Sequence, residues 1–231
     1  MHSHEKVSDG VFRIRGKRSN IYLLAGASLV LVDTGMPGDG EGILRAIQEL
    51  GYAPAAVQYV FITHGHLDHV GSLAAVKAAS NAKVIASINE KEYVEGRKML
   101  CSMSREGLGG KAFRIILFFM EKFLQKYEPA RVDLPFSGDS VATAAGMSII
   151  ETPGHSAGSL SFYHQEKKIL FSGDALSGSP SLRLPVKAGC SDYARALQSV
   201  QCIGELDFEL CLFGHGEPLI GRAAKKVKAL L

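Results

Sequence analysis

The sequence predicts a single α/β domain, on the basis of three observations. Its 231 residues are 46% hydrophobic, enough for one sizeable core with little room for a second domain. Short apolar runs typical of strands alternate with segments that have helical spacing. The 26 basic and 23 acidic residues are interspersed and give a net charge of +3. The charge therefore indicates neither a nucleic-acid partner nor an anionic membrane surface.

The first third of the chain predicts strands separated by turns, with one helix between them. Apolar and β-branched patterns predict strands over Val11–Arg15, Asn20–Ala25 and residues 28–32. Apolar residues at helical spacing predict a helix over residues 43–50. A buried strand over residues 59–63 comes next, so β and α elements begin to alternate here.

The same alternation continues to the C-terminus. A helix is expected after His69, a strand over 83–88, and a helix from Asn89, as its cap, to about residue 100. The remaining elements are strands over Met147–Glu151, Leu160–His164 and 168–172, a helix near 192–204, a strand over Leu210–Phe213, and a basic C-terminal helix.

Residues 99–130 form a segment that differs from this alternation and that we interpret as an insertion. A glycine-containing loop at 107–110 precedes a predicted helix with one apolar face, made of Phe113, Ile116, Leu117, Met120 and Leu124. We expect this face to pack on the domain or on a partner subunit, as in a homodimer. The alternative is a cap over a substrate cleft, hinged at the glycines.

The cysteines and the N-terminus predict a reduced, cytoplasmic protein. The four cysteines have no CxxC spacing, and residues 1–6 lack the apolar core of a signal peptide. The longest apolar stretch, within residues 113–124, is interrupted by charged residues and is far shorter than the ~20 residues that span a bilayer. No membrane association is expected.

A cluster of possible metal ligands follows the strand over residues 59–63. His64, His66, Asp68 and His69 form an HxHxDH pattern. Imidazole nitrogens and carboxylate oxygens bind metal through lone pairs, and this spacing at a strand end can direct the four side chains around two adjacent cations.

Three further residues follow apolar strands in the same way. His155 lies in a PGHS turn, Asp174 in an SGD sequence, and His215 between two glycines. Taken alone, His155 is equally consistent with an ordinary turn residue, and Asp174 with a helix cap. Together with the first cluster they supply enough ligands for two metal ions.

These motifs, in this order, resemble the metallo-β-lactamase superfamily of hydrolases, over nearly the whole chain. The resemblance implies an αββα sandwich, two mixed β-sheets flanked by helices, with the metals at one edge between the sheets. Asp33, followed by Thr34 and Gly35, resembles the family's first motif, in which the aspartate supports the metal loop and is not a ligand.

The resemblance also implies a binuclear site. One metal is assigned to His64, His66 and His155, the other to Asp68, His69 and His215, and Asp174 bridges them. Zinc is favoured, and iron and manganese accept the same ligand types. Of the other histidines, we expect His2 and His4 to be disordered and His164 to lie at an exposed strand end.

The implied activity is hydrolysis by a hydroxide that bridges the two metals, with Asp68 as the catalytic residue that orients it. Near the motifs the sequence offers mainly small or apolar residues, with Arg183 the nearest cation, so a small, neutral or weakly charged ester, thioester or lactone is the expected substrate. The alternatives are a phosphodiesterase or nuclease on the same site, and an iron-dependent oxidoreductase of the same fold. A non-catalytic binding protein is disfavoured because no ligand is missing.

Overall fold

Two β-sheets lie face to face in the computed structural model, which describes residues 4–98, 128–138 and 143–231. The strands of the first sheet are, in chain order and in spatial order, β1 (His4–Ser8), β2 (Val11–Arg15), β3 (Asn20–Ala25), β4 (Leu29–Val32), β5 (Val57–Phe61), β6 (Lys83–Ser87) and β7 (Leu134–Phe136). The sheet is mixed, because β1 to β4 pair antiparallel and β4 to β7 pair parallel.

The second sheet is also mixed. Its strands are β8 (Thr143–Ala144), β9 (Met147–Glu151), β10 (Leu160–His164), β11 (Ile169–Gly173), β12 (Leu210–Phe213) and β13 (Leu219–Ile220), in the spatial order β13-β12-β11-β10-β9-β8. Strands β11 and β12 pair parallel, and the other neighbours pair antiparallel.

Helices cover the outer face of each sheet. They are α1 (Gly40–Glu49), α2 (Leu67–Val70), α3 (Leu73–Ser80), α4 (Lys91–Val94), α5 (Tyr193–Gly204) and α6 (Ala223–Lys228). One apolar cluster joins the first sheet to α1 and α3, and another joins the second sheet to α5 and α6. A third cluster fills the space between the sheets, where the rings of Phe61 and Phe162 lie 4.8 Å apart. The predicted αββα sandwich is confirmed.

Strand β12 shows why the central strands are continuously apolar. Leu210 and Leu212 contribute to the cluster between the sheets, and Cys211 and Phe213 to the cluster under α5 and α6. Successive side chains of a strand point to opposite faces, and both faces of this strand are buried.

Several details of the structure differ from the sequence-based expectations. The helix expected over 89–100 is the four-residue α4, because Gly96 follows it with a φ of +68°, a left-handed conformation that cannot continue an α-helix; Asn89 does not cap it. His4 is not disordered: it begins β1 and lies 3.4 Å from a carboxylate oxygen of Glu49. His164 does end a strand, but it is buried.

The predicted insertion falls mostly outside the described residues. Its apolar helical face and its glycine loop lie within residues 99–127, so the packing and cap interpretations remain predictions. Within the part of the chain that the structure describes, no helix is long and apolar enough to cross a membrane. Cys190, Cys202 and Cys211 are free thiols.

Candidate metal centre

All seven predicted ligands come together at one edge of the sandwich, in loops that follow the C-terminal ends of strands. The HxHxDH loop follows β5, the loop with His155 follows β9, Asp174 follows β11, and His215 follows β12. Their ligand atoms form two groups, each within 4.8 Å: the first is His64, His66 and His155, and the second is Asp68, His69 and His215. A further set within the same distance, His64, His69 and Asp174, shares one histidine with each group.

The first group is a compact set of three imidazoles. His66 Nδ1 lies 2.8 Å from His64 Nε2 and 2.9 Å from His155 Nε2. His64 is fully buried and His155 nearly so. Three ring nitrogens grouped in this way can fill three of the four ligand positions of a tetrahedral metal site.

The second group contains a carboxylate and two imidazoles. Asp68 Oδ2 lies 3.5 Å from His215 Nε2 and 4.0 Å from His69 Nε2. Helix α2 begins directly after His66, so Asp68 and His69 lie on its first turn. His66 has extended backbone, and His64 lies two residues before it. This change of backbone directs the four side chains of the motif to two neighbouring sites.

Asp174 lies between the two groups. Its Oδ2 is 3.4 Å from His155 Nε2 and 3.2 Å from His215 Nε2, and its Oδ1 is 3.6 Å from His69 Nε2. A carboxylate in this position faces ligands of both groups, which is the geometry that a bridging ligand requires.

Asp33 holds two of the imidazoles in position. Its Oδ2 lies 2.8 Å from His69 Nδ1 and accepts a hydrogen bond of 2.8 Å from the Thr63 hydroxyl, which in turn lies 3.0 Å from His64 Nδ1. When the Nδ1 atoms of both histidines donate along this chain, their Nε2 lone pairs face the site. Asp33 thus supports ligands of both groups, as the family's first motif implied.

A second carboxylate, which the sequence analysis missed, connects two ligand loops. Glu90 is buried, and its two oxygens accept hydrogen bonds from the amides of Gly65, at 3.0 Å, and Gly158, at 2.8 Å. Gly65 lies between His64 and His66, and Gly158 lies three residues after His155. No local pattern distinguishes Glu90 from the charged residues that follow it, so its role became visible only in three dimensions.

The loop with His215 is fixed from the first sheet. The imidazole Nδ1 of His215 donates to the carbonyl of Arg18 at 3.0 Å, which leaves Nε2 directed at Asp174. Arg13 is almost fully buried, donates to the carbonyl of Gly216 and forms an ion pair with Glu217. These contacts cross from one sheet to the other and hold the loop against β2 and β3.

Gly214 lies against the ligands, where there is no space for a side chain. A Cβ at Gly214 would lie 2.2 Å from Asp174 Oδ1 and 2.8 Å from His69 Cε1. Both distances are far inside van der Waals contact, so any side chain here would displace two predicted ligands. This explains physically why a glycine precedes His215.

Burial and neighbouring charges prepare the cluster for cations. Burial lowers the pKa values of His64, His66 and His155, that of His66 to about 3, so these rings are neutral and their lone pairs are free. Burial also opposes protonation of His69, but the carboxylates of Asp33, Asp174 and Asp68 raise its pKa to about 10. The second group therefore attracts positive charge, which a metal ion can supply in place of protons.

The donors fit divalent metal ions by a second criterion. His69 Nε2 and Asp174 Oδ1 are buried and have no hydrogen-bond partner among the described residues. Buried polar atoms are nearly always paired, and unpaired ones call for an explanation such as an ion. A set of imidazoles and carboxylates suits zinc, iron or manganese.

A cavity of about 300 Å³ opens onto the cluster. His155, Asp174 and His215 line it together with residues of the segment 176–189. That volume lies at the lower end of the range for small-molecule sites.

Comparisons with known proteins identify the family. Residues 14–215 match the model of the metallo-β-lactamase superfamily, and the chain belongs to this superfamily. It is 30% identical to a beta-lactamase-like protein 2 homolog of Caenorhabditis elegans, over 96% of this chain and 66% of that protein. It is 28% identical to the hydroxyacylglutathione hydrolase GloC of Haemophilus influenzae, over 80% of this chain and 79% of that protein.

A solved structure supports the same fold. A metallo-beta-lactamase family protein of Thermus thermophilus superimposes with a TM-score of 0.71 at 24% identity, over 97% of this chain and 80% of that chain. The family consists mostly of metallo-hydrolases, and the His and Asp groups of this chain are suited to metal binding.

Proposed function

We propose that this protein is a binuclear metal-dependent hydrolase that cleaves a small acyl ester, thioester or lactone. The observation that carries the proposal is the position of Asp174, whose two oxygens face His69, His155 and His215 from both ligand groups. A mononuclear site would need only one of these groups.

Two divalent cations held by these residues would supply a hydroxide nucleophile at neutral pH and polarise the bond to be cleaved. The protein's own residues hold and orient the participants. Asp68 is partly exposed, unlike the buried His64 and His69, so it can contact a water or a substrate. We assign it the role of orienting the attacking water through a hydrogen bond to its carboxylate.

Hydrogen bonds to the backbone also hold Asp68 in place. The hydroxyl of Ser19, on the loop before β3, donates to the Asp68 carbonyl, and Thr34 donates from both its backbone amide and its hydroxyl to the carbonyl of His69. The first turn of α2 is thereby tied to the first sheet. Such support is what keeps a catalytic carboxylate aligned with the reacting atoms.

Among acyl substrates, a thioester has the most support. The relative named as a hydroxyacylglutathione hydrolase aligns with four-fifths of this chain. The cavity beside the ligands is small and partly apolar, with Leu176, Pro185 and Val186 in its wall, which suits a short acyl chain.

The test is a panel of thioesters, aryl esters, lactones, β-lactams and bis-aryl phosphodiesters, assayed with zinc, iron and manganese. We expect acyl substrates to have the highest kcat/KM. We expect the Asp68→Ala variant to lose turnover while it remains folded and still binds the metal ion of the group His64, His66 and His155. A phosphodiester turned over at least tenfold better than every acyl substrate would show that the acyl preference is wrong. Activity that requires iron and molecular oxygen would instead identify an oxidoreductase.

A further inference from the structure

An arginine lines the cavity that opens onto the metal-ligand cluster. Arg183 shares this cavity with His155, Asp174 and His215, and with the hydroxyl-bearing residues Ser177 and Ser179. A cation in the wall of a small cavity, beside the predicted reaction centre, lies where it can contact whatever occupies that cavity.

The backbone of Arg183 is fixed. Its amide donates to the carbonyl of Ser177 at 2.9 Å, and the amide of Ser177 donates back at 3.1 Å. Leu182 and Leu184, the residues on either side, pack against the apolar cluster under α5 and α6. Because side chains alternate in an extended segment, these two contacts direct Arg183 away from the core and towards the cavity.

The same segment is joined directly to a ligand loop. The amide of Gly178 donates to the carbonyl of His215 at 2.9 Å, and the amide of Glu217 donates to the carbonyl of Gly178. The wall that carries Arg183 and the loop that carries His215 therefore form one hydrogen-bonded unit. The guanidinium approaches the cavity from a wall that is held relative to the ligands.

Within the described part of the chain, no carboxylate forms an ion pair with Arg183. The buried Arg13, near the same edge, contrasts with it, because Glu5 and Glu217 both pair with that guanidinium. Arg183 is exposed, so its charge remains hydrated and available. An arginine with a fixed backbone and no carboxylate partner among the described residues is suited to bind a planar oxyanion through two parallel hydrogen bonds.

We propose that Arg183 is a specificity residue that binds a carboxylate or phosphate group of the substrate, so that the preferred substrate is an anionic acyl compound. This proposal rests on the hydrolase function proposed above. The sequence analysis expected a neutral or weakly charged substrate, and the proposal replaces this with a substrate that carries an anionic group. A single exposed cation is too few for a phosphodiester backbone but sufficient for one anionic group on a small molecule.

The test compares neutral and anionic thioesters. With N-acetylcysteamine as a neutral leaving group, butyryl and succinyl thioesters have the same chain length, and only the second carries a terminal carboxylate. A 3-phosphonopropionyl thioester tests phosphate-like charge, and butyryl-glutathione places the charge on the leaving group. We expect the zinc-loaded enzyme to favour at least one anionic substrate over the neutral one by roughly tenfold or more in kcat/KM.

Substitutions then assign that preference to Arg183. The Arg183→Gln variant should reduce the ratio of kcat/KM for anionic over neutral substrates to near one. Arg183→Lys should retain part of this ratio, because the charge remains but the two parallel N–H donors of the guanidinium are lost. Arg195→Gln, which removes an exposed arginine of α5 outside the cavity lining, is the matched control and should leave the ratio unchanged. A wild-type ratio near one for all three anionic substrates, or an unchanged ratio in Arg183→Gln, would overturn the proposal.

A binding measurement separates this proposal from the hydrolase function. Succinate and butyrate each have one carboxylate for the metals, and succinate has a second for Arg183. Calorimetry on the zinc-loaded protein should show tighter binding of succinate, with the advantage lost in Arg183→Gln. If no acyl substrate is hydrolysed but this difference is present, the reaction assignment fails and the anion site stands. If hydrolysis is found without any difference, the reverse holds.

Discussion

Replacing Asp33 by Asn should weaken the binding of one metal ion selectively. His69 contacts Asp33 directly, whereas His64 contacts the Thr63 hydroxyl, which can accept from both the new amide and His64 Nδ1. The carboxylate accepts three hydrogen bonds of 2.8 Å, from the Thr63 amide, the Thr63 hydroxyl and His69 Nδ1. Asn keeps the shape and tolerates the left-handed backbone of this position, where φ is +60°. It also keeps an oxygen for the Thr63 amide, so the fold should survive.

The substitution instead moves the ring proton of His69 from one nitrogen to the other. An amide NH₂ placed where Oδ2 stands is a donor, and His69 Nδ1 must then accept, which moves the ring proton to Nε2. That nitrogen is buried and faces Asp174, so the proton occupies the metal-binding position. Loss of an outer hydrogen-bond partner typically reduces metal affinity by about 10- to 100-fold, or about 1.4 to 2.7 kcal/mol.

The assay is competition with a chromophoric chelator, which gives stoichiometry and affinity together. We expect wild-type protein to bind about two zinc ions, and Asp33→Asn to keep one ion tightly and the other weakly. Asp39→Asn is the matched control, because Asp39 is another buried aspartate whose carboxylate accepts backbone amides, those of Lys17 and Met36. Two tightly bound ions in Asp33→Asn would refute the tautomer argument, as would an equal loss in both variants.

Three further substitutions test the rest of the site. Asp174→Ala should reduce zinc stoichiometry from about two to one and abolish hydrolysis, and unchanged activity with a single ion would argue against a bridging role. Gly214→Ala should weaken metal binding by tenfold or more, since its Cβ would lie 2.2 Å from Asp174 Oδ1, and wild-type affinity would mean that the loop can move aside. Glu90→Ala should destabilise the metal-free fold by about 1–3 kcal/mol in urea titrations, because it leaves two amides of the ligand loops unpaired, and Glu90→Gln should cost less.

The convergence of the seven candidate ligands was predictable from sequence because each of them follows an apolar strand. His64, His66 and His69 follow one apolar strand at short spacing, and His155, Asp174 and His215 each follow another. Strands that run in the same direction end at the same edge of a sandwich, so strand-end residues converge whatever the exact strand bounds are. The errors in strand ends, of one or two residues, did not affect the site.

The supporting contacts were not predictable because they join distant parts of the chain. Glu90 binds the amide of Gly158, 68 residues away, and Arg13 binds the carbonyl of Gly216, 203 residues away. Neither residue has a neighbour of special type, and both would be expected on a surface from their charge alone. Their roles depend on the pairing of the two sheets, which local patterns do not specify.

These supporting contacts explain how a cluster of five imidazoles and two carboxylates is held at a sheet edge. Asn20, at the start of β3, donates from its side chain to the carbonyls of Phe213 and Gly216, and its amide donates to the carbonyl of Gly214. The Tyr22 hydroxyl also donates to the Phe213 carbonyl. The first sheet thus binds the backbone on both sides of His215, a ligand supplied by the second sheet. Because backbone and outer-shell groups fix the ligand loops, the cluster's close distances depend on both sheets. Changes at Arg13 or Asn20, which lie about 200 residues before His215 in the sequence, therefore act on the metal site through the backbone of this loop.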